Sequence, residues 1–198
     1  MKKAQLIFDF EVFSNWNHVS FLDEQGTFTQ FNAPINSETL RSFVKGKTLI
    51  GFNNNNYDKY ILSAVLSDMK IGMVHRLSNH LIDSRARPWE IEQIYELERL
   101  NKAKGFDFID LMPLVAGFSG LKMLGARMHH AKLQELPFDP HEPLDDSQQQ
   151  IIAEYCKNDC LITEKLYQRL QDQVALRTQL GETYKLDLRS LGDAGIAE

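Results

Sequence analysis

With 198 residues, 43% of them hydrophobic and 25% charged, the chain has a globular composition and enough length for one domain with its own core. A net charge of −5 argues against a protein that coats duplex DNA through a broad basic surface, though not against nucleic acid held in one local groove. No apolar run approaches the ~18 residues of a membrane helix. The opening "MKKAQLIFDFEVF" lacks the unbroken apolar core and small-residue cleavage site of a signal peptide, so we read it as the first strand of a cytoplasmic protein.

Residues 4 to 10 form that strand. "NHVSFLD" (17 to 23) and "GTFTQFN" (26 to 32) alternate around a "DEQG" turn, which predicts a hairpin. Asn36 and Ser37 offer an N-cap to a helix carrying Leu40, Phe43 and Val44. "KTLIGF" (47 to 52) is a short strand, and 57 to 69 is an amphipathic helix. Segment 70–104 yields one helix, beginning near Pro88, and its charge predicts a position outside the main core. "FDFIDL" (106 to 111) is another strand and 119 to 128 a short helix. A proline-rich connector (136 to 150) follows, then a long helix capped by Asp146 or Ser147. The tail 182–198 has helical potential without a closing signal. Three adjacent antiparallel strands followed by strand–helix units predict an α/β fold. A ribonuclease H-like mixed five-stranded sheet with flanking helices fits better than a doubly wound nucleotide binder, for which no glycine-rich phosphate loop is present.

Cys156 and Cys160, the only cysteines, sit four apart on a helical pattern. Without companion Cys or His at suitable spacing they make a poor zinc site and read as reduced intracellular thiols.

Three acidic clusters interrupt this pattern. In "LIFDFEVF", Asp9 and Glu11 are two apart in a strand and project from one face, with Phe8 and Phe10 on the other. Two buried like charges need a cation, either Lys or Arg or a divalent metal; an edge strand whose polar face meets water is the alternative. In "GFNNNNYDKYIL", Asp58 opens a helix after a short strand, where it also suits a plain cap or first-turn charge. In "EYCKNDCLIT", Tyr155 and Asp159 share a helix face, which a surface pair would also do.

Taken in order, these clusters resemble the DEDD superfamily of 3′–5′ exonucleases, in its tyrosine branch. The first motif is Asp-x-Glu on the first strand (Asp9, Glu11). The second is an Asn before an aromatic-Asp pair (Asn54 or Asn53, then Tyr57 and Asp58). The third is Tyr-x-x-x-Asp on a late helix (Tyr155, Asp159). The histidine branch needs a His where this chain has Glu154. "DFIDLM" and "GLKMLG" look like the family's intermediate strand and Leu-Lys helix, and the likeness covers about residues 4 to 170. "FDFEVF", "YCKNDCLITEKL" and "LDLRSLGDAGIAE" look closest to the N-terminal proofreading exonuclease region of bacteriophage-type DNA polymerases. The family pattern does not account for 70–104.

The resemblance implies an exonuclease domain over 1–180, with 70–104 as a helical insertion, and a tail at 181–198 that would lead into a polymerase domain. It implies two divalent ions, Mg2+ or Mn2+, held by Asp9, Glu11, Asp58 and Asp159, with Tyr155 orienting the attacking water. A free tyrosine pKa near ~10 makes orientation a better role than base catalysis. The implied substrate is a single-stranded DNA 3′ end, cut to 5′-nucleoside monophosphates. The implied partner is a polymerase domain or subunit, with no membrane, in the cytoplasm (the host's, if phage-encoded). Candidate substrate contacts are Asn54, Phe10, Phe13 and Lys122, with Trp16, Phe52 and Phe118 as further stacking surfaces. Ordinary core packing competes for each aromatic. His129 and His130 read as a solvated helix end. A 3′–5′ exoribonuclease of the same fold and a non-catalytic nucleic-acid-binding domain are the alternatives; lost acids would mark the latter, and all four are present.

Overall fold

The computed structural model describes residues 3–83, 88–115, 117 and 120–197. Strand β1 (Gln5–Val12) is central. It pairs antiparallel with β2 (Asn17–Asp23), which pairs antiparallel with β3 (Phe28–Asn32). On its other side β1 runs parallel to β4 (Thr48–Gly51), and β4 parallel to β5 (Asp107–Asp110). The order β3-β2-β1-β4-β5 makes a mixed five-stranded sheet of the ribonuclease H-like kind that the sequence predicts.

Alternation along β1 divides the molecule into layers. Phe8 and Phe10 join Val19 and Phe21 under α1 (Ser37–Val44), α2 (Asp58–Leu66) and α3 (Ile71–Asp83). Ile7 joins Leu22, Ile50 and Ile109 on the other face. There α5 (Leu121–Arg127) contributes Leu124, and α6 (Asp146–Tyr184) contributes Ile162, Leu166 and Leu170. Asp9 and Glu11 therefore face α6.

Helix caps follow local chemistry. Asn36 accepts the Thr39 N–H at 2.8 Å and starts α1. The cap of α6 is Asp145, one residue before the two expected: its carboxylate accepts the Gln148 N–H while the Gln148 side chain accepts the Asp145 N–H, both at 2.9 Å. At 39 residues α6 is roughly 58 Å long.

Segment 70–104 departs from expectation. The helix at Pro88 is present as α4 (Pro88–Ile94), but α3 precedes it, and the segment belongs to the main core. Val74 and Leu77 of α3, with Ile91, Tyr95, Leu97 and Leu100, are buried in the cluster that holds Phe8. Its described charges stay at the rim, where Arg41 pairs with Glu98 at 2.9 Å and Arg99 with Glu92 at 2.7 Å. The tail folds back onto β5. Arg189 bonds the Asp107 carboxylate at 2.5 Å, Ser190 Oγ accepts the Asp110 N–H at 2.8 Å, and buried Arg177 donates to Leu191 O at 2.9 Å. It ends in α7 (Asp193–Ala197). Among the described residues no helix is long and apolar enough to cross a membrane.

Candidate functional site

Pairing between β1 and β4 stops at Ile7 and Ile50, so the C-terminal half of β1 has no strand partner on that side. The start of α2 fills the gap. The Asp58 carboxylate accepts the Phe10 N–H at 3.1 Å, which satisfies a backbone donor and places the acid beside Asp9 and Glu11. The loop before Asp58 is fixed from β5. Asp110, 1% exposed, accepts the N–H groups of Asn53 and Asn55 at 2.8 and 3.0 Å, and that of Met112 at 3.0 Å. Asn53 has φ +65°, a left-handed conformation that asparagine tolerates better than most residues. Asn54 is wholly buried, its amide donating to Ile109 O at 2.9 Å. It packs so close to Gly51 that a Cβ there would lie 2.9 Å from its Nδ2. The asparagine run is thus a tightly anchored turn.

Helix α6 crosses over β1 and β2. The Cys156 thiol donates to Asp9 O at 3.2 Å and the Cys160 thiol to Ser20 O at 3.5 Å. Tyr155 and Asp159, each the residue just before one of these thiols, meet the strand acids. The Lys122 amine from α5 bonds the Asp159 carboxylate and lies 4.2 Å from the Tyr155 ring centre, and the Asp159 charge acts on the Tyr155 hydroxyl.

The charges of these groups act on one another. Burial holds the Asp9 carboxyl well above its ordinary range, and the charges of Glu11, Asp58 and Asp159 add to the effect. Glu11 is likewise raised by burial and then by Asp159, against the lowering influence of Lys122. Burial pushes Asp58 up to about 7, although the Phe10 N–H works against it. Burial also raises Asp159, with Lys122 opposing. The Tyr155 hydroxyl is raised by burial and by the nearby carboxylates, so it stays protonated at neutral pH. Among the described residues, Lys122 is the cation in contact with this quartet. Four carboxylates against one ammonium leave an excess of negative charge in a poorly hydrated place, which a hard divalent cation would offset. Asp9, Glu11 and Cys156 each present a ligand atom, all within 4.8 Å of one another, so this group could hold a metal ion.

The structure therefore brings together Asp9, Glu11, Asp58, Tyr155, Asp159 and Lys122. Phe10 (4% exposed) packs in the main core and also borders the cleft that Glu11 lines. Phe13 (0%) lies elsewhere, packed with Trp16, Leu144 and Ile152 beneath the connector. Neither the Phe13 ring nor the Asn54 side chain presents a surface to solvent. Phe52 packs against the α6 side of the core, and Phe118 lies outside the described residues. His130 is tied into the site's edge, Nε2 lying 3.0 Å from Asn158 Oδ1. Sequence reading missed Asp110 and Cys156. Asp110, an acid inside an apolar strand, carried the same signal as Asp9; Cys156 carried none.

No family model and no curated protein matches the chain. Among solved structures, it is similar to the family B DNA polymerase from the hyperthermophilic archaeon Pyrobaculum calidifontis, with a TM-score of 0.57 and 14% identity. The match covers 88% of this chain and 25% of the polymerase, so the chain spans about a quarter of that protein's length. The likeness is one of fold.

Proposed function

We propose that the protein is a metal-dependent 3′–5′ exonuclease of the tyrosine branch of the DEDD superfamily. It would hydrolyse single-stranded DNA 3′ ends to 5′-nucleoside monophosphates in company with a DNA polymerase domain or subunit, in the cytoplasm. One observation carries this reading. Four acids from a strand, a helix start and the middle of a distant helix meet beside a protonated tyrosine, with a single lysine among the described residues to balance them. A fold shared with part of a family B DNA polymerase supports it.

Asp9, Glu11, Asp58 and Asp159 supply the carboxylate oxygens that would hold two magnesium or manganese ions. When bound, such a pair lowers the pKa of water and neutralises charge on the phosphate. The side chains do the rest. Tyr155, beside Asp159, keeps its proton and would orient the attacking water. The Lys122 ammonium, over the Tyr155 ring, would meet a phosphate oxygen. Helix α6 holds Tyr155 and Asp159 on one face and keeps their spacing fixed.

Incubation of 5′-labelled single-stranded DNA with magnesium or manganese should yield a ladder of shortening products and free mononucleotides. Asp9→Ala and Asp159→Ala should abolish it while far-ultraviolet circular dichroism stays native. Persistent activity in both variants sinks this site. A matched RNA oligonucleotide, expected to be cut more slowly, separates DNA from RNA processing.

A further inference from the structure

Judged by sequence spacing, the two cysteines make a poor zinc site, but α6 carries them into different surroundings. The Cys160 thiol meets the Ser20 carbonyl of β2 at 3.5 Å. The Cys156 thiol meets β1 beside the acids, its Sγ lying 3.2 Å from Asp9 O and 3.6 Å from Asp9 Oδ2. A carboxylate oxygen of Asp9, one of Glu11 and this sulfur all lie within 4.8 Å of one another. Cys156 is a free thiol, 0% exposed, so the sulfur sits on the buried side of the acids. Glu11 borders an open cleft of about 490 Å3, which gives an ion a way in.

These distances suit a particular class of ion. Zinc is held in a tetrahedron, with thiolate sulfur at about 2.3 Å and carboxylate oxygen at about 2.0 Å, which sets a sulfur–oxygen edge of about 3.5 Å. The 3.6 Å between Cys156 Sγ and Asp9 Oδ2 matches that edge. Magnesium takes oxygen ligands in an octahedron and gains nothing from sulfur. The thiol therefore separates two classes of ion at one pair of acids.

We propose that Asp9, Glu11 and Cys156 together form a site for a thiophilic divalent ion of the zinc class, which competes with the magnesium or manganese pair and holds the enzyme inactive. The inhibitory consequence rests on the exonuclease reading; the proposal adds to that reading a ligand of different chemistry. Both modes need Asp9 and Glu11, so such an ion displaces the hard-ion pair rather than joining it. As it binds, the thiol proton passes to solvent, the bond to Asp9 O is given up, and an ion–sulfur bond replaces it.

The test titrates the whole chain, reduced and freed of metal, with Co2+, whose bond to a thiolate adds a charge-transfer band in the near ultraviolet. Wild type should develop the band, saturating at one ion per chain, and Zn2+ should abolish it. Cys156→Ser, which keeps a donor for Asp9 O, should lack the band and bind Zn2+ more weakly by about 10²-fold or more, beyond what loss of an outer-shell partner costs. Cys160→Ser should keep the band. Glu11→Gln leaves both thiols in place and should weaken Co2+ binding, which keeps the claim testable if Cys156→Ser does not fold. No band in wild type, a band that survives in Cys156→Ser, a band lost in natively folded Cys160→Ser, or unchanged Co2+ affinity in Glu11→Gln overturns the site. Zn2+ at one equivalent should stop magnesium-dependent cleavage by wild type; cleavage that continues overturns the competition. A band in a protein that hydrolyses no DNA keeps the ion site and overturns the exonuclease reading; hydrolysis with magnesium in a protein that gives no band does the reverse.

Discussion

Replacing Asp58 by Asn should stabilise the metal-free protein at alkaline pH. The Asp58 carboxyl is 4% exposed and is raised from the ordinary 3.8 to about 7, first by burial and then by the charge of Asp110 on β5. It is also one of the charges that raise Asp9 and Glu11 on β1, whose further neighbour is Asp159 on α6. A carboxyl with a raised folded-state pKa keeps a proton that the unfolded chain releases. Between pH 4 and 7 the folded state therefore binds more protons, and stability falls as pH rises through that window. At pH 8 the full cost is present. At about 1.4 kcal/mol for each pKa unit its ceiling is about 4 kcal/mol, and relaxation around the group brings the expectation to about 2–4 kcal/mol. Asparagine keeps the shape and the oxygen that accepts the Phe10 N–H but carries no charge. For a chain of this length the gain corresponds to a melting temperature higher by roughly 4–16 °C. Thermal unfolding in a chelator at pH 4 and pH 8, with wild type and Asp58→Asn side by side, measures it. The gain should be large at pH 8 and nearly vanish at pH 4. A variant that melts at or below wild type at pH 8, or gains equally at both pH values, refutes the electrostatic account. Added manganese should raise the wild-type melting temperature more than that of the variant, which has one ligand fewer.

Tyr155→Phe removes the hydroxyl beside Asp159 but keeps the ring beneath the Lys122 ammonium. Single-turnover cleavage should slow on the order of 10²-fold, the scale of a mispositioned reactant, while manganese affinity by calorimetry stays close to wild type; a large affinity loss would assign the tyrosine to metal binding. Asn54→Ala removes the buried bond to Ile109 O and should cost about 1–3 kcal/mol in denaturant unfolding, with KM for single-stranded DNA unchanged. A raised KM with native stability would instead make Asn54 a substrate contact.

The elements that the sequence reading placed well are those whose local pattern and final environment agree. β1 to β3 alternate because each has two different faces to serve, and α6 carries its apolar stripe for most of its length. The cap of α6 was misplaced by one residue among adjacent aspartates, although Gln148 three positions after Asp145 marks the correct one. Segment 70–104 misled for a clearer reason. Its many charges mask Val74, Leu77, Ile91 and Leu100, whose burial depends on partners across the sheet layer that local periodicity does not reveal. The site followed the same logic. Asp9, Glu11 and Asp159 stand out because carboxylates in apolar surroundings are costly. The burial of Phe13 and Trp16 is set by Leu144 and Ile152, more than a hundred residues away, and no spacing rule shows that cover. Asp110 contributes through backbone N–H groups of a remote loop, a role visible only once β4 and β5 are paired.

Four carboxylates that repel one another stay together because each is held by something other than its neighbours. Asp9 and Glu11 are fixed by the pleat of a central strand paired from Leu6 to Val12 with β2. Asp58 is fixed by a helix start that Asp110 and Asn54 tie to β5. Asp159 is fixed by a 39-residue helix capped at Asp145 and clasped near its far end by Arg177 and the returning tail. Lys122 reaches Asp159 from α5, which approaches α6 closely because Gly125 has no side chain: a Cβ there would lie 3.2 Å from Ile162. The scaffold thus resists, at separate anchor points, a repulsion that protonation relieves at low pH and that a divalent ion would relieve at neutral pH. Excess stability in Asp58→Asn is the direct measure of that opposition, because a site built only for folding would lose stability when a hydrogen-bonded carboxylate is exchanged.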